Sequence, residues 1–479
     1  MGEIQARVAE RAKIHSELRR FLLFLLGILL ALVAYYGPFA PTETASRALG
    51  VTIFMLVMFI TEAIPMGVTG LLGCWLFWTW ARIPVAKAFS GFVVDTPWFV
   101  LGAVLMGLMA ETTGLARRLA FNIISRLGSD YSRILLGMMV VNFLLTFLVP
   151  SGVAKTTILC AIAIGMIESY GMGKGSNIGK GLILAMTYLS GLFDKTIIAG
   201  AATILARGLI EQFGKVQVLW GLWLIAFLPI ALINIGASWY FILKLFPPER
   251  KVLDGGEEYC RLELRKMGPM TADEIRAMVI LLLATAFWAT DFLHHINASI
   301  IGLGAGLFGC LPLVGVLKRE DFAKANYPVI IFTGGAITLG IVMADTGILK
   351  TLAAAMFKWM TPIMHSAAVP AGMFLYWYAN LFHLFLANET SMVSATMPAL
   401  MDLAIKNGFN PLTLGMIWGF AVEGKVFVYQ SGTLVVGYAF GYFTTKDLFK
   451  FGLALFILES LLILAIIPVY WPLLGLTYR

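Results

Sequence analysis

The sequence predicts an all-α polytopic membrane protein of two inverted repeats, with re-entrant hairpins, broken helices and about 11 transmembrane helices. Of its 479 residues, 59% are hydrophobic and only 13% are charged, which leaves too little polar surface for a water-soluble globule. Apolar stretches of about 20 residues or slightly fewer, many carrying Gly or Pro, recur along nearly the whole chain. The two halves also share interrupted hydrophobic patterns, as expected of membrane proteins built from two structural repeats.

Two motifs at breaks in the apolar pattern occur once in each half. Residues 109–115 (MAETTGL) return as residues 343–348 (MADTGI), and each copy is followed by an amphipathic stretch. We therefore predict a helix that begins at each Thr-Gly pair and lies in the membrane interface. Residues 150–156 (PSGVAKT) lie where the second half has residues 388–392 (NETSM), and both predict a hairpin tip.

A second break in each half combines an acid with a lysine in an otherwise apolar run. It covers residues 190–195 (SGLFDK) in the first half and residues 421–425 (AVEGK) in the second. A charged side chain at membrane depth costs at least about 2.5–3.5 kcal/mol on insertion scales. Charged residues at matched positions are therefore expected to have a function.

Charge divides the chain into four segments. Residues 1–20 are predicted to be a cytoplasmic N-terminal segment, and residues 21–248 form the first repeat. Residues 249–272 are polar enough to be a cytoplasmic loop, and residues 273–479 form the second repeat. Lys and Arg concentrate in the first and third segments, so the positive-inside rule places both in the cytoplasm. We attribute the net charge of +8 to the orientation of the chain in the membrane, and we expect no nucleic-acid partner.

Several motifs, in order, resemble the divalent anion:sodium symporter family of dicarboxylate, citrate and sulfate transporters. Residues 61–65 (TEAIP) are similar to an early family motif, and residues 114–120 (GLARRLA) to its interfacial helix. Residues 332–335 (FTGG) resemble a Gly-rich span, and residues 428–432 (VYQSG) the family's C-terminal region. The resemblance covers nearly the whole chain. It implies a homodimer in which a domain carrying both hairpins moves like an elevator.

The resemblance also implies a pair of Ser-Asn-Thr hairpin tips that hold a carboxylate substrate and sodium. This chain keeps Ser151 and Thr390, but glycine and glutamate replace the two asparagines, at Gly152 and Glu389. At the second breaks, acid and lysine stand where family members have small neutral residues. We therefore expect the coupling to differ from ordinary sodium symport.

The candidate site residues lie at these breaks. The candidate substrate-binding residues are Ser151, Gly152, Lys155, Thr156, Asn388, Thr390, Ser391, Lys195 and Lys425, and the candidate coupling groups are Glu389, Asp194 and Glu423. The hydroxyls either hold an anion or cap helix ends. The lysines bind the anion, replace a bound sodium ion, or only pair with the acids in the core. Glu389 either carries a coupling proton or stays ionised beside a lysine.

Together these observations predict a secondary active transporter of small organic anions, with di- and tricarboxylates preferred over sulfonates and sulfate. Three coupling modes stay open: sodium symport, sodium-independent exchange and proton symport through Glu389; the lysines favour the last two. We expect no catalytic residues, no metal centre and no cofactor other than Na⁺ or H⁺ as coupling ion. An anion channel and a membrane enzyme subunit are the rival classes. We expect a bacterial inner membrane location, with lipid and a small anion as partners and a cytoplasmic N-terminus.

Overall fold

The computed structural model describes residues 2–40, 42–253, 255–366, 368–385 and 388–479. Within these ranges all regular structure is helical, which confirms the predicted all-α class. Seven helices of the described part are long and apolar enough to cross a membrane, and one further pair of helices is bent by 61° at a short break. The chain is therefore a polytopic membrane protein.

The first half of the chain runs from a long N-terminal helix to the helix before the polar connection. Its helices are α1 (Gly2–Tyr36), α2 (Glu43–Thr61), α3 (Met66–Thr79), α4 (Val85–Ala88), α5 (Thr96–Thr112), α6 (Leu115–Ile124), α7 (Tyr131–Thr146), α8 (Gly152–Ser169), α9 (Asn177–Thr196), α10 (Ala201–Gly214) and α11 (Trp220–Leu245).

The polar connection and the second half contain the remaining helices. They are α12 (Gly256–Met267), α13 (Ala272–Ala289), α14 (Asp291–His294), α15 (Ala298–Phe308), α16 (Arg319–Ala323), α17 (Tyr327–Asp345), α18 (Ile348–Phe357), α19 (Thr361–Ser366), α20 (Ala368–Phe385), α21 (Glu389–Lys406), α22 (Pro411–Ala421), α23 (Gly432–Ala439) and α24 (Thr445–Val469).

The Thr-Gly motifs start helices, as predicted from the sequence. Gly114 and Gly347 have φ of 80° and 78°, a left-handed conformation that glycine adopts at low cost, and α6 and α18 begin directly after them. Arg118 of α6 donates hydrogen bonds to Glu274 at 2.6 Å and to the Gly268 carbonyl at 2.8 Å. These bonds attach α6 to the start of α13.

Matching helices of the two halves pack reciprocally. α3 packs on α17 and α15 packs on α5, while α8 packs on α23 and α21 packs on α10. Glycines permit the close approach: a Cβ atom at Gly102 would lie 2.3 Å from the Gly302 carbonyl oxygen, and one at Gly335 would lie 2.5 Å from the Gly70 Cα. Each contact between two helices thus has an equivalent contact between their counterparts, as expected of repeats related by a pseudo-two-fold axis.

The contacts around α5 and α17 show that these matching helices run in opposite directions. Glu111, at the end of α5, lines the same cavity as Asn326, just before α17. At the other side, Lys87 precedes α5 and forms an ion pair of 2.7 Å with Asp345 at the end of α17. Antiparallel matching helices agree with the predicted inverted repeats.

Two sequence predictions need correction. Residues 190–195 do not break the helix, because α9 continues to Thr196 and the interruption lies at residues 197–200. The helix can continue since the charges of Asp194 and Lys195 are balanced by ion pairs. The polar connection is not only a loop, since it contains α12, whose acidic first turn and basic last turn complement the helix dipole.

Large apolar side chains are exposed along several outer helices. On α1, α13 and α24 they include Phe21, Leu22, Leu29, Leu282, Leu283, Ile457 and Leu461. A water-soluble protein rarely exposes so many apolar side chains together. In a membrane protein these surfaces face lipid.

Candidate functional site

The helix interruptions of both halves meet at one internal cavity of about 670 Å³. The walls between the interruptions come from α5 and from the starts of α3 and α17. The exposed residues Glu111, Lys324 and Asn326 belong to the lining, so the cavity is open to one side of the protein. Gly114, which follows α5, lies against Met267 of the polar connection, so the opening is on the side of that connection.

Four helices that follow the interruptions begin at this cavity, and α3 and α17 begin there as well. Its lining includes the first residues of α8 (Ser151 and Gly152), α10 (residues 200–202), α21 (residues 388–390) and α23 (residues 431–433). The first N–H groups of a helix have no partner within the helix, and each N-terminus carries roughly half a positive charge. All of these helix ends favour a negative charge in the cavity, so the site suits an anion.

The tip residues also cap their own helices. The Ser151 hydroxyl accepts a hydrogen bond from the Ala154 N–H at 3.3 Å. Asn388 accepts through Oδ1 from the Thr390 N–H at 3.0 Å and from the Thr390 hydroxyl at 2.7 Å. The capping alternative is therefore what the structure shows, and direct contact of these side chains with a substrate stays a prediction.

A buried quartet of two lysines and two glutamates lies at the edge of the cavity. Lys195 forms ion pairs with Glu389 and, at 3.5 Å, with Glu423. Lys425 forms ion pairs with Glu389 at 2.6 Å and with Glu423 at 2.9 Å. Each lysine thus contacts both glutamates, and the quartet has no net charge. Lys195 comes from the first half and the other three residues from the second.

A separate buried pair lies in the first half. The Lys155 ammonium is 2.9 Å from Asp194 Oδ1 and donates a hydrogen bond to the Thr146 hydroxyl at 2.6 Å. The side chain of Lys155 is fully buried, whereas Asp194 reaches the cavity. The three lysines and three acids at the breaks are therefore neutral as a set.

Glycines make room for these charges. A Cβ atom at Gly152 would lie 2.5 Å from Asp194 Oδ2, so a side chain at this position would collide with the carboxylate. A Cβ atom at Gly191 would lie 2.7 Å from the Lys425 ammonium. The glycine at the first hairpin tip and the carboxylate at the end of α9 are thus structurally linked.

Only some of the predicted site residues line the cavity. Those that do are Ser151, Gly152, Asp194, Lys195, Asn388, Glu389 and Thr390. Lys155, Thr156, Lys425 and Glu423 are buried behind this lining. Ser391 is also buried, and its hydroxyl donates to the Phe59 carbonyl at 3.1 Å.

Sequence reasoning missed two groups of cavity residues. Gly200 precedes α10, and Ser431 and Thr433 lie at the start of α23, with their hydroxyls 2.9 Å apart. A small residue directly before each of these helices is the available signal, but it is weak beside the charged residues that precede it.

The carbonyl groups at the second breaks accept hydrogen bonds from protein side chains. The Thr203 hydroxyl donates to the Asp194 carbonyl at 2.7 Å, and the Trp223 indole N–H donates to the Lys195 carbonyl at 2.9 Å. The Tyr188 hydroxyl lies 3.0 Å from the Glu423 carbonyl oxygen. These oxygens therefore stabilise the breaks from within the protein.

A further buried acid, Glu459 of α24, lies outside the quartet. It is fully buried and accepts a hydrogen bond from the Tyr376 hydroxyl at 2.8 Å. Among the described residues it forms no ion pair with a Lys or Arg side chain.

Helices that cross an apolar bundle, break near its middle and direct their N-termini to one cavity define a membrane transport protein with two repeats. The chain belongs to the family described as the sodium:sulfate symporter transmembrane region, whose model matches residues 17–477. Membership confirms the family resemblance and places the chain among transporters, not enzymes.

Relatives align along most of the chain. A membrane protein of Cupriavidus necator is 26% identical, with 93% of this chain and 91% of the relative covered. The sodium-dependent dicarboxylate transporter SdcS of Staphylococcus saprophyticus is also 26% identical, with 82% and 78% covered. The L-tartrate/succinate antiporter of Escherichia coli is 24% identical, with 80% of each chain covered.

The fold also resembles a solved structure. MtrF of Neisseria gonorrhoeae, which its title assigns to a class of antimetabolite efflux pumps, superposes with a TM-score of 0.57. The match covers 97% of this chain and 96% of that chain at 13% identity, so it is evidence for the fold alone.

Proposed function

We propose that this protein is a secondary active transporter of small organic anions, with dicarboxylates and tricarboxylates preferred over sulfonates and sulfate. The observation that carries the proposal is the convergence on one cavity of the four helix N-termini that follow the interruptions. Because the six charged side chains at the breaks cancel, the positive potential comes from the helix ends, roughly +0.5 charge at each. This suits a compact anion.

The size of the cavity and the relatives agree with carboxylates. About 670 Å³ lies within the roughly 300–1,000 Å³ usual for small-molecule pockets. Two relatives carry names that specify dicarboxylates or tartrate and succinate. Another relative of Escherichia coli is named a citrate/succinate antiporter and is 23% identical.

We further propose that transport does not require sodium. The ammonium groups of Lys195 and Lys425 stand at the second breaks, where they already pair with the carboxylates of Glu389 and Glu423 that a coupling cation would need. The neighbouring carbonyls already accept hydrogen bonds from Thr203, Trp223 and Tyr188. In this proposal the ammonium groups of the two lysines take the place of a bound coupling cation throughout the transport cycle.

Two modes are compatible with this arrangement. Anion exchange needs no coupling ion, and the names of the Escherichia coli relatives favour it. Proton symport is favoured by Glu389, whose carboxylate lies at the cavity and would lose ionic partners if an anion approached the lysines. An elevator movement of the domain with both hairpins, a homodimer and a cytoplasmic N-terminus complete the proposal.

Uptake by proteoliposomes tests the proposed function and its sodium independence. Labelled succinate should enter vesicles preloaded with succinate, to the same extent in sodium and in choline buffers. Steep dependence of uptake on sodium would refute the sodium-independent mechanism. Flux without saturation or counterflow would identify a channel instead. Uptake into unloaded vesicles that is driven by an inward proton gradient would select proton symport over exchange.

A further inference from the structure

Glu389 occupies an unusual place among the buried acids. It is the first residue of α21, at one of the four N-termini, and it lines the cavity. Its two carboxylate oxygens are divided between two lysines: Oε2 pairs with Lys195 and Oε1 lies 2.6 Å from the Lys425 ammonium. A substrate carboxylate could form the same contacts, with the two ammonium groups and with the helix N-terminus.

The other glutamate of the quartet is placed differently. Glu423 is fully buried behind the lining and contacts the same two lysines, at 3.5 Å from Lys195 and 2.9 Å from Lys425. The lysines therefore keep one anionic partner even when Glu389 leaves them. Without Glu389 the quartet would carry one net positive charge on the cavity side.

We propose that Glu389 is a tethered competitor of the substrate, which binds by displacing its carboxylate from Lys195 and Lys425. This inference rests on the proposed function, since it concerns a carboxylate substrate of the same cavity. In the empty transporter the Glu389 carboxylate neutralises the lysines. In the loaded transporter a substrate carboxylate replaces it, and the ionic contacts that are lost are formed again with the substrate.

The competition predicts an effect on affinity that is opposite in sign to that of an ordinary binding residue. A competitor attached to the protein acts at an effective concentration of millimolar or more, so its removal should tighten binding by about tenfold or more. The isosteric substitution Glu389→Gln removes the negative charge and keeps the shape of the side chain. If Glu389 only held the core together, its loss would leave affinity unchanged or weaken it.

Glu111 provides a matched control. It also lines the cavity, but at the exposed end of α5. Glu111→Gln changes the charge of the cavity by the same amount and does not alter the quartet. A long-range electrostatic effect of removing one negative charge would therefore appear in both variants, more weakly for the exposed Glu111, whereas competition affects only Glu389→Gln.

The test is equilibrium binding of labelled succinate, citrate and sulfate to the purified full-length protein in lipid nanodiscs. We expect the Kd of the anion bound best by the wild type to fall about tenfold or more in Glu389→Gln, and to change much less in Glu111→Gln. Should Glu389→Gln fail to fold, Glu389→Asp serves, because the shorter side chain cannot bridge both lysines and should also tighten binding.

The outcomes separate this inference from the proposed function. Binding to the wild type that is not tightened in either Glu389 variant would overturn the competition alone. Equal tightening in Glu111→Gln would also overturn it. Binding of none of the three anions to any variant would refute the proposed function together with the competition.

Discussion

Replacement of Lys425 by methionine tests whether the buried quartet serves transport or only the fold. Lys425→Met removes two ion pairs, at 2.6 Å to Glu389 and 2.9 Å to Glu423, from a side chain that is 1% exposed. Two carboxylates then share one ammonium group, that of Lys195. We expect the variant to lose uptake and to become markedly less stable.

The magnitude follows from the unbalanced charge. Removing one partner of a buried ion pair costs about 3–5 kcal/mol, because the other charge stays buried without compensation. Glu423 is fully buried and cannot turn to water, so the upper part of that range applies. A companion substitution, Glu423→Gln, restores neutrality by leaving one lysine and one glutamate, and it should recover most of the stability.

Melting temperatures in detergent and succinate uptake in proteoliposomes give the two readouts. We expect the double variant to melt near the wild-type temperature and still to transport poorly, because one of the two ammonium groups that we propose to bind the anion is missing. A single variant as stable as the wild type would refute the reasoning about charge. Wild-type uptake by the double variant would assign the quartet to the scaffold.

Other contacts make direct predictions. Arg118→Met should lower the melting temperature through loss of about 1.5–3 kcal/mol per charged hydrogen bond to Glu274, and Arg118→Lys should recover only part of it because an ammonium cannot form the bidentate contact. Gly102→Val should give aggregated protein in size-exclusion chromatography, since a Cβ atom there lies 2.3 Å from a carbonyl of α15; Gly304→Ala, with nothing within 4 Å, should behave as the wild type. Glu459→Gln should keep both stability and uptake, because Glu459 forms no ion pair within the described part of the chain. Loss of uptake at unchanged stability would make it a functional acid.

The sequence predicts the larger features of this fold because they depend on local patterns. Apolar length and Gly or Pro interruptions indicate helices and breaks, and the Thr-Gly pairs mark the starts of α6 and α18, where φ is positive at Gly114 and Gly347. The duplication of motifs indicates the repeat relation. The family resemblance places the hairpin tips at Ser151 and Asn388, and both are helix caps at the cavity.

The details of the site depend on contacts between distant segments. Lys195 and Glu389 are 194 positions apart, and nothing near either residue indicates that they pair. The same holds for the continuation of α9 to Thr196, because the ion pairs that permit it involve Lys155 and Glu389. The sequence also does not indicate which partner each charged residue contacts. Asp194 and Lys195 are adjacent in the chain, yet they pair with different residues.

The division of the buried charges into a neutral pair and a neutral quartet also constrains how this chain can have evolved. Loss of any one member, such as Lys195, leaves a charge stranded inside the bundle, whereas loss of Lys155 together with Asp194 leaves none. Ancestral and descendant sequences should therefore gain or lose the pair as one unit and the quartet as another. Since the quartet takes residues from both halves, the two repeats could not diverge independently at these positions once it had formed.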